Sequence, residues 1–175
     1  MAKLAFTKLG LKIPNDINTL IINEQTIEVK NYLPIQDKLE IMTNAMTLEN
    51  TYNNNRFLNF PMLKMFIDLE FIYAYTNINF TEKQKEDFVK TYDLLKSNDV
   101  INKVIGLVED EYYYILNETI ESAEAAYDYT NSIYGILDSL QTDYSNLNLN
   151  ATDIQQKLAD PENMDLLKQV LTKLG

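Results

Sequence analysis

Alternating apolar and polar positions near the amino terminus predict a β-hairpin. Residues 17–22 read Ile-Asn-Thr-Leu-Ile-Ile, and residues 26–32 alternate so that Ile27 and Val29 share one face. Two such runs joined by a short polar segment are typical of antiparallel strands. Because an isolated hairpin is marginal in water, we expect residues 17–32 to lie on helices or to pair with another chain.

Helical spacing of apolar residues dominates the next part of the chain. Pro34 fits the first turn of a helix that we expect to end near Glu49. A second helix begins at Asn59 as its cap, with Pro61 just inside, and runs to about Thr76. This second helix is apolar around most of its circumference, which predicts a buried central helix.

Two further helix starts follow in the sequence. Thr81 and Gln84 have the spacing of a capping box, which predicts a helix that ends around Ser97. Asp99 can cap a short helix that continues through Val108. The pattern therefore predicts several helices with short connections.

One long acidic helix is predicted over residues 109–140. Tyr113, Ile120, Tyr127 and Tyr134 recur there every seven positions and form the central line of a stripe. The partner positions hold Leu116, Ala123, Thr130 and Leu137, and the flanking positions hold Tyr112, Thr119, Ala126, Ile133 and Leu140. Ile115, Tyr129 and Ile136 add a second, narrower apolar edge. We expect this stripe to pack along the helix of residues 60–76. The residues off the stripe that we predict to contact a partner are acidic: Glu118, Glu121, Glu124 and Asp128.

The carboxyl-terminal part predicts a linker and an amphipathic helix. Residues 144–150 are rich in Asn, as a link between structured parts would be, and Asp160 can cap a helix with Pro161 at its first position. We expect this last helix to be tethered and to bind a partner. Its apolar face consists of Leu166, Leu167, Val170, Leu171 and Leu174.

The first residues, 1–12, predict an arm in which Phe6 and Leu9 stand among lysines. Two interpretations are open, a frayed terminus and an arm that docks on a neighbouring subunit. The predicted fold is mainly α. It comprises a helical bundle with an N-terminal β-hairpin over residues 13–143, and a linker with the tethered C-terminal amphipathic helix over residues 144–175.

Negative charge is concentrated in one region. The chain has a net charge of −11, and the segment from Val104 to Gln156 holds ten acidic residues but no Lys or Arg. A single Arg and this acidic balance argue against direct binding to nucleic acid, which needs clustered cations. Three uses of the acidic helix face stay open: a solvated surface, contact with a basic protein, and mimicry of nucleic acid.

The sequence contains no catalytic or metal-binding signature. Without His or Cys, the Ser-His-Asp and Cys-His arrangements and imidazole or thiolate metal sites are excluded. Asn146, Asn148 and Asn150 imitate the start of a calcium loop, but Ala151 and Lys157 replace the Gly and Glu that it requires. We therefore predict no catalytic residue, no cofactor and no metal. The absence of any long apolar run also predicts no membrane segment.

Several segments resemble a family of small proteins from tailed bacteriophages and prophages of low-GC Gram-positive bacteria. They are residues 29–34 with 37–39, residues 77–84, residues 92–95, and residues 153–162 with 171–175. The resemblance implies a non-enzymatic virion or virion-assembly protein, such as a tail assembly chaperone or a neck, connector, capsid or tail component.

On that resemblance we expect a homo-oligomer that contacts phage tail, neck or capsid proteins. Its place would be the cytoplasm of the bacterial host or the virion. The alternative is an acidic phage inhibitor that occupies the nucleic-acid site of a host or defence protein as a DNA mimic. Tyrosine and isoleucine residues interrupt the acidic region, which counts against the mimic.

Overall fold

The computed structural model describes residues 4–53 and 57–146. Over these residues the fold is mainly α with an N-terminal β-hairpin, so the predicted fold class is confirmed. The chain divides into two compact units, Met1–Asp128 and Tyr129–Gly175. The predicted tethered C-terminal helix lies outside the described residues.

The elements of the first unit follow a simple order. A 3₁₀ turn at Phe6–Leu9 precedes the strands β1 (Ile17–Ile22) and β2 (Gln25–Lys30). The helices are α1 (Ile35–Asn53), α2 (Phe60–Tyr75), α3 (Glu82–Glu86), α4 (Phe88–Ser97), α5 (Val100–Ile105) and α6 (Glu109–Thr130), whose last two residues belong to the second unit.

The hairpin forms where the sequence predicts it. The two strands pair antiparallel around Asn23 and Glu24, whose φ angles of 48° and 65° are the positive values that a type I′ turn requires. Ile27 and Val29 are both buried, as predicted. The residues after α2 bond to the edge of β2 that faces away from β1. There the Asn77 N–H donates to the Glu28 carbonyl at 3.2 Å.

The predicted cap of the central helix is present. The Asn59 side chain accepts the N–H of Met62 at 3.2 Å, and Pro61 occupies the first turn. In the α3 helix, Thr81 and Gln84 form both bonds of the capping box.

Three predicted helix boundaries are wrong. The first helix continues past Glu49 to Asn53, because the buried Glu49 carboxylate accepts bonds from the Asn53 side chain and the Asn59 N–H. The helix begun by the capping box is interrupted at Asp87, between α3 and α4. Helix α5 ends at Ile105 and not at the predicted Val108. Asp99 occupies its N-cap position but makes no side-chain bond to the helix backbone; its carboxylate accepts from the Asn102 side chain at 2.7 Å.

Helix α2 is the central helix, as its all-round apolar pattern predicts. Its fully buried side chains include Phe66, Ile67 and Phe71, and α1 packs along it. The first turn of α6 packs on it as well, where the Tyr112 and Phe71 rings meet edge-on at 5.2 Å. No helix in the described part of the chain is long and apolar enough to cross a membrane.

Only part of the predicted apolar stripe of α6 is buried. Tyr113, placed on the central line by the heptad count, is 48% exposed. The buried side chains are Tyr112, Ile115, Thr119 and Ala123. The polar groups on this buried line are hydrogen-bonded. The Tyr112 hydroxyl donates to the Asp68 carboxylate on α2, and the Thr119 hydroxyl donates to the Ile115 carbonyl at 2.6 Å. Hydrogen bonding therefore decides between two neighbouring lines of similar apolarity.

The prediction of one continuous helix over residues 109–140 is also wrong. Helix α6 ends at Thr130, and a separate helix α7 (Ile133–Asn146) follows in the second unit. The Ser132 hydroxyl accepts the N–H of Gly135 at 3.1 Å and so caps α7. A Cβ at Gly135 would overlap the Tyr129 carbonyl oxygen, so glycine permits this tight connection.

Candidate functional site

The acidic residues predicted to contact a partner form one exposed face of α6. Glu118, Glu121, Glu124 and Asp128 are all exposed. At about 100° per residue they span an arc of about 120°, on the opposite side of the helix from the buried line. We call these four residues the acidic face. It is available to solvent or to a partner.

Two buried polar clusters fix the orientation of α6. In the first, the Asp68 carboxylate on α2 is 0% exposed. It accepts bonds from Lys64 Nζ at 2.9 and 2.8 Å, from the Tyr112 hydroxyl at 2.6 Å and from the Tyr92 hydroxyl at 3.1 Å. Burial raises the pKa of Tyr92 to about 12, so this hydroxyl keeps its proton and remains a donor. The buried charge is fully partnered.

The second cluster joins α6 to α1. Lys38 Nζ lies 2.6 Å from Glu111 Oε2, and the Tyr75 hydroxyl donates to the same oxygen at 2.6 Å. The Lys38 ammonium also stands 4.1 Å from the centre of the Tyr32 ring. Burial and the adjacent Glu111 carboxylate raise the pKa of Tyr75. Each cluster pairs a carboxylate with a lysine and with at least one tyrosine hydroxyl, an arrangement that stabilises packing.

The amino-terminal arm carries several exposed apolar side chains. Phe6 is 75% exposed and Leu9 is 49% exposed. We call residues 4–13 the apolar arm. Its other exposed apolar side chains are Leu4, Leu11 and Ile13. The outward face of β1 is also apolar, where Ile17 is exposed and Ile21 is 72% exposed.

A cleft on the surface of α1 and α2 was not predicted. Its apolar end encloses about 330 Å³ between α1, α2 and the following helices. The apolar lining consists of Leu48, Tyr52, Phe66, Leu69 and Phe88. Its other end, which we call the acidic end, encloses about 310 Å³ and includes Asp37, Glu40 and Lys30. Asn44, Glu70 and Tyr73 line both ends, so we treat the two as one α1–α2 cleft.

The groups shared by the two ends are polar and partly buried. Burial raises the pKa of Glu70, while the Asn44 side chain, which donates to its carboxylate at 3.1 Å, opposes that shift. The Tyr73 hydroxyl is buried without a hydrogen-bond partner among the described residues. Burial raises the pKa of Tyr73 to about 12. Tyr73 thus lies between an apolar and an acidic end of the cleft, with its hydroxyl closed off from solvent.

Sequence reasoning missed this cleft because its residues come from separate helices. Asn44 and Glu70, which bond to each other, are far apart in the chain. The available signal was that Glu70 and Tyr73 place polar atoms on an otherwise apolar helix. A polar residue on such a helix indicates that its surroundings are polar, but it does not identify the helix that provides them.

Metal chemistry finds no support in the described ranges, where no group of three or more Asp, Glu, His or Cys side chains could hold an ion. The predicted partner residues of the C-terminal helix, Leu166 to Leu174, lie outside the described residues. Comparisons of the chain with protein-family models, with curated proteins and with solved structures found no match.

Proposed function

We propose that the protein is a non-enzymatic phage structural or assembly protein that acts through protein–protein contacts. The protein would self-associate and would contact phage tail, neck or capsid proteins. It would do so in the cytoplasm of the bacterial host or in the virion. A tail assembly chaperone, a neck or connector protein and a capsid- or tail-associated component all fit this proposal. The resemblance of the sequence to small phage proteins supports it.

The observation that carries the proposal is the exposed apolar surface of the amino terminus. Phe6, Leu9 and Ile21 are exposed on an arm and on the outward face of a strand. Large exposed apolar patches mark interaction sites on proteins. Apart from β2, β1 has no strand partner among the described residues, and an open strand edge can pair with another chain.

Light scattering on the purified chain and mass spectrometry of purified phage particles test this proposal. We expect a defined oligomer, or the protein in particles, and loss of the oligomer when Phe6 and Leu9 are replaced by alanine. Phe57→Ala is the control, because Phe57 is also exposed but lies outside the arm. A strict monomer that is absent from particles would overturn the proposal.

The acidic face supports a second candidate, an inhibitor that mimics nucleic acid. Its four carboxylates lie opposite the buried line, and no Lys or Arg occurs between Val104 and Gln156. Such a face would occupy the basic groove of a nuclease or polymerase. The test is salt-sensitive binding to such an enzyme, lost when Glu118, Glu121 and Glu124 become Gln and Asp128 becomes Asn. Binding that is unchanged in this variant would end the candidate.

A further inference from the structure

We infer that the α1–α2 cleft receives the apolar arm of a second copy of the chain. This inference rests on the proposed self-association and names the two surfaces that meet. Phe6 would enter the apolar end of the cleft, and the arm lysines would face its acidic end. Each copy offers one arm and one cleft, so exchange can be reciprocal within a dimer or continue along a chain of copies.

Aromatic packing matches the arm to the apolar end. Tyr52, Phe66 and Phe88 form a cluster there, with ring centres 4.7 to 5.8 Å apart. Aromatic rings pack favourably on such clusters in tilted or offset arrangements. Phe6 is the most exposed aromatic side chain of the first unit, so it has the most surface to bury by entering the cluster.

Charge complementarity orients the arm. Residues 1–15 contain three lysines and no acid. At the acidic end of the cleft, the carboxylates of Asp37, Glu40 and Glu70 outnumber the ammonium of Lys30, which donates a hydrogen bond to the Ala74 carbonyl at 3.1 Å. At the apolar end, Lys85 is paired with Glu82 at 3.3 Å. Excess negative charge therefore faces the arm lysines.

The arm of the same chain does not fill the cleft. Phe6, Leu11 and Ile13 line a separate depression together with Tyr32. An arm from a second copy would cover the aromatic cluster, which the arm of the same chain leaves open.

Charge exchange between the two surfaces tests the inference. One variant carries Lys8→Glu with Lys12→Glu, and the other carries Asp37→Lys with Glu40→Lys; all four positions are exposed. We expect each variant alone to associate at least about tenfold more weakly than the wild type, because like charges then meet. An equal mixture of the two should recover association, since each arm then meets a cleft of opposite charge. Analytical ultracentrifugation measures all three samples.

Lys90→Glu with Lys103→Glu is the matched control, because both lysines are exposed and neither lines the cleft. Weaker association of the single variants without recovery in the mixture would overturn arm exchange, as would an arm that folds onto its own cleft. Association that persists unchanged in every variant would overturn the cleft inference and leave self-association standing. A monomeric wild type would overturn both.

Discussion

The Tyr112 hydroxyl on α6 donates a 2.6 Å hydrogen bond to the fully buried Asp68 carboxylate on α2. A buried carboxylate must be partnered, because an unpaired charge in the interior is costly. Tyr112 meets this need only when its side of α6 faces the core. The acidic face, on the opposite side of the helix, is then directed outward. This bond, together with the Lys38 and Tyr75 contacts to Glu111, sets which residues of α6 a partner can reach.

Replacing Tyr112 by Phe should lower the free energy of unfolding by about 1.5 kcal/mol or more, since hydrogen bonds to charged groups contribute about 1.5–3 kcal/mol. Lys64 and Tyr92 remain as donors to Asp68, so the variant should still fold. Urea unfolding measures the change. In the neighbouring control, Tyr113→Phe, the loss should stay below about 0.5 kcal/mol. Equal losses in both variants would contradict the role given to the Asp68 bond.

Alkaline pH should destabilise the protein. Burial raises the pKa of Tyr73 and Tyr92 from 10.0 to about 12, and it also raises the pKa of Tyr75 and Tyr112. Above pH 10 the unfolded chain releases these protons while the folded chain keeps them. Stability from this source is therefore complete below pH 10 and falls as the pH rises toward about 12.

The urea midpoint measured at increasing pH, together with tyrosinate absorbance, tests this pH dependence. Tyr92→Phe should reduce the loss of stability above pH 10. Tyr134→Phe, at a position 79% exposed in the second unit, should leave the profile as in the wild type. A midpoint that stays constant up to pH 12 would show that the buried tyrosines do not contribute.

The cap of α2 should contribute measurably to stability. Asn59→Ala removes the side-chain acceptor of the Met62 N–H and should cost about 0.5–2 kcal/mol in the free energy of unfolding. Thr81→Ala, at the cap of the short exposed helix α3, serves as the comparison and should cost less. Thermal unfolding followed by circular dichroism measures both. If Thr81→Ala lowered the free energy of unfolding more than Asn59→Ala does, the result would contradict the central position of α2 in the fold.

Gly135→Ala should disturb the connection between α6 and α7. The added Cβ would overlap the Tyr129 carbonyl oxygen, and overpacking of this kind typically costs about 1–3 kcal/mol. We expect faster amide hydrogen exchange over residues 133–146. Ser139→Ala, an exposed position in the same helix, should leave exchange there nearly unchanged. Identical exchange in the two variants would mean that glycine is not needed at residue 135.

Local signals in the sequence predicted the elements that are set by local chemistry. The hairpin follows from the alternation around Ile27 and Val29, because the strand period places both on one face. Asn59 with Pro61, and Thr81 with Gln84, mark helix starts through bonds that span only three residues. Residues 60–75 are apolar around most of the helix circumference, and this pattern, which is also local in the sequence, predicted the central helix.

The two errors in the acidic region have different physical causes. The break after Thr130 was readable from Ser132 and Gly135, a cap and a close-approach glycine, but the heptad count ran through both. The buried line of α6 was not readable. Tyr112 and Tyr113 are adjacent and identical, and the carboxylate that distinguishes them, Asp68, lies 44 positions from Tyr112 in the chain.

The sequence by itself determined the fold class, the hairpin, the central helix and the concentration of negative charge between Val104 and Gln156. These follow from periodicity, capping and composition, which act over a few neighbouring residues. Only the tertiary structure decided that Tyr112 rather than Tyr113 faces the core, and that Asn44, Glu70 and Tyr73 line one cleft. Each of these outcomes depends on contacts between helices that are far apart in the sequence. Side-chain packing and the burial of charged groups select those contacts.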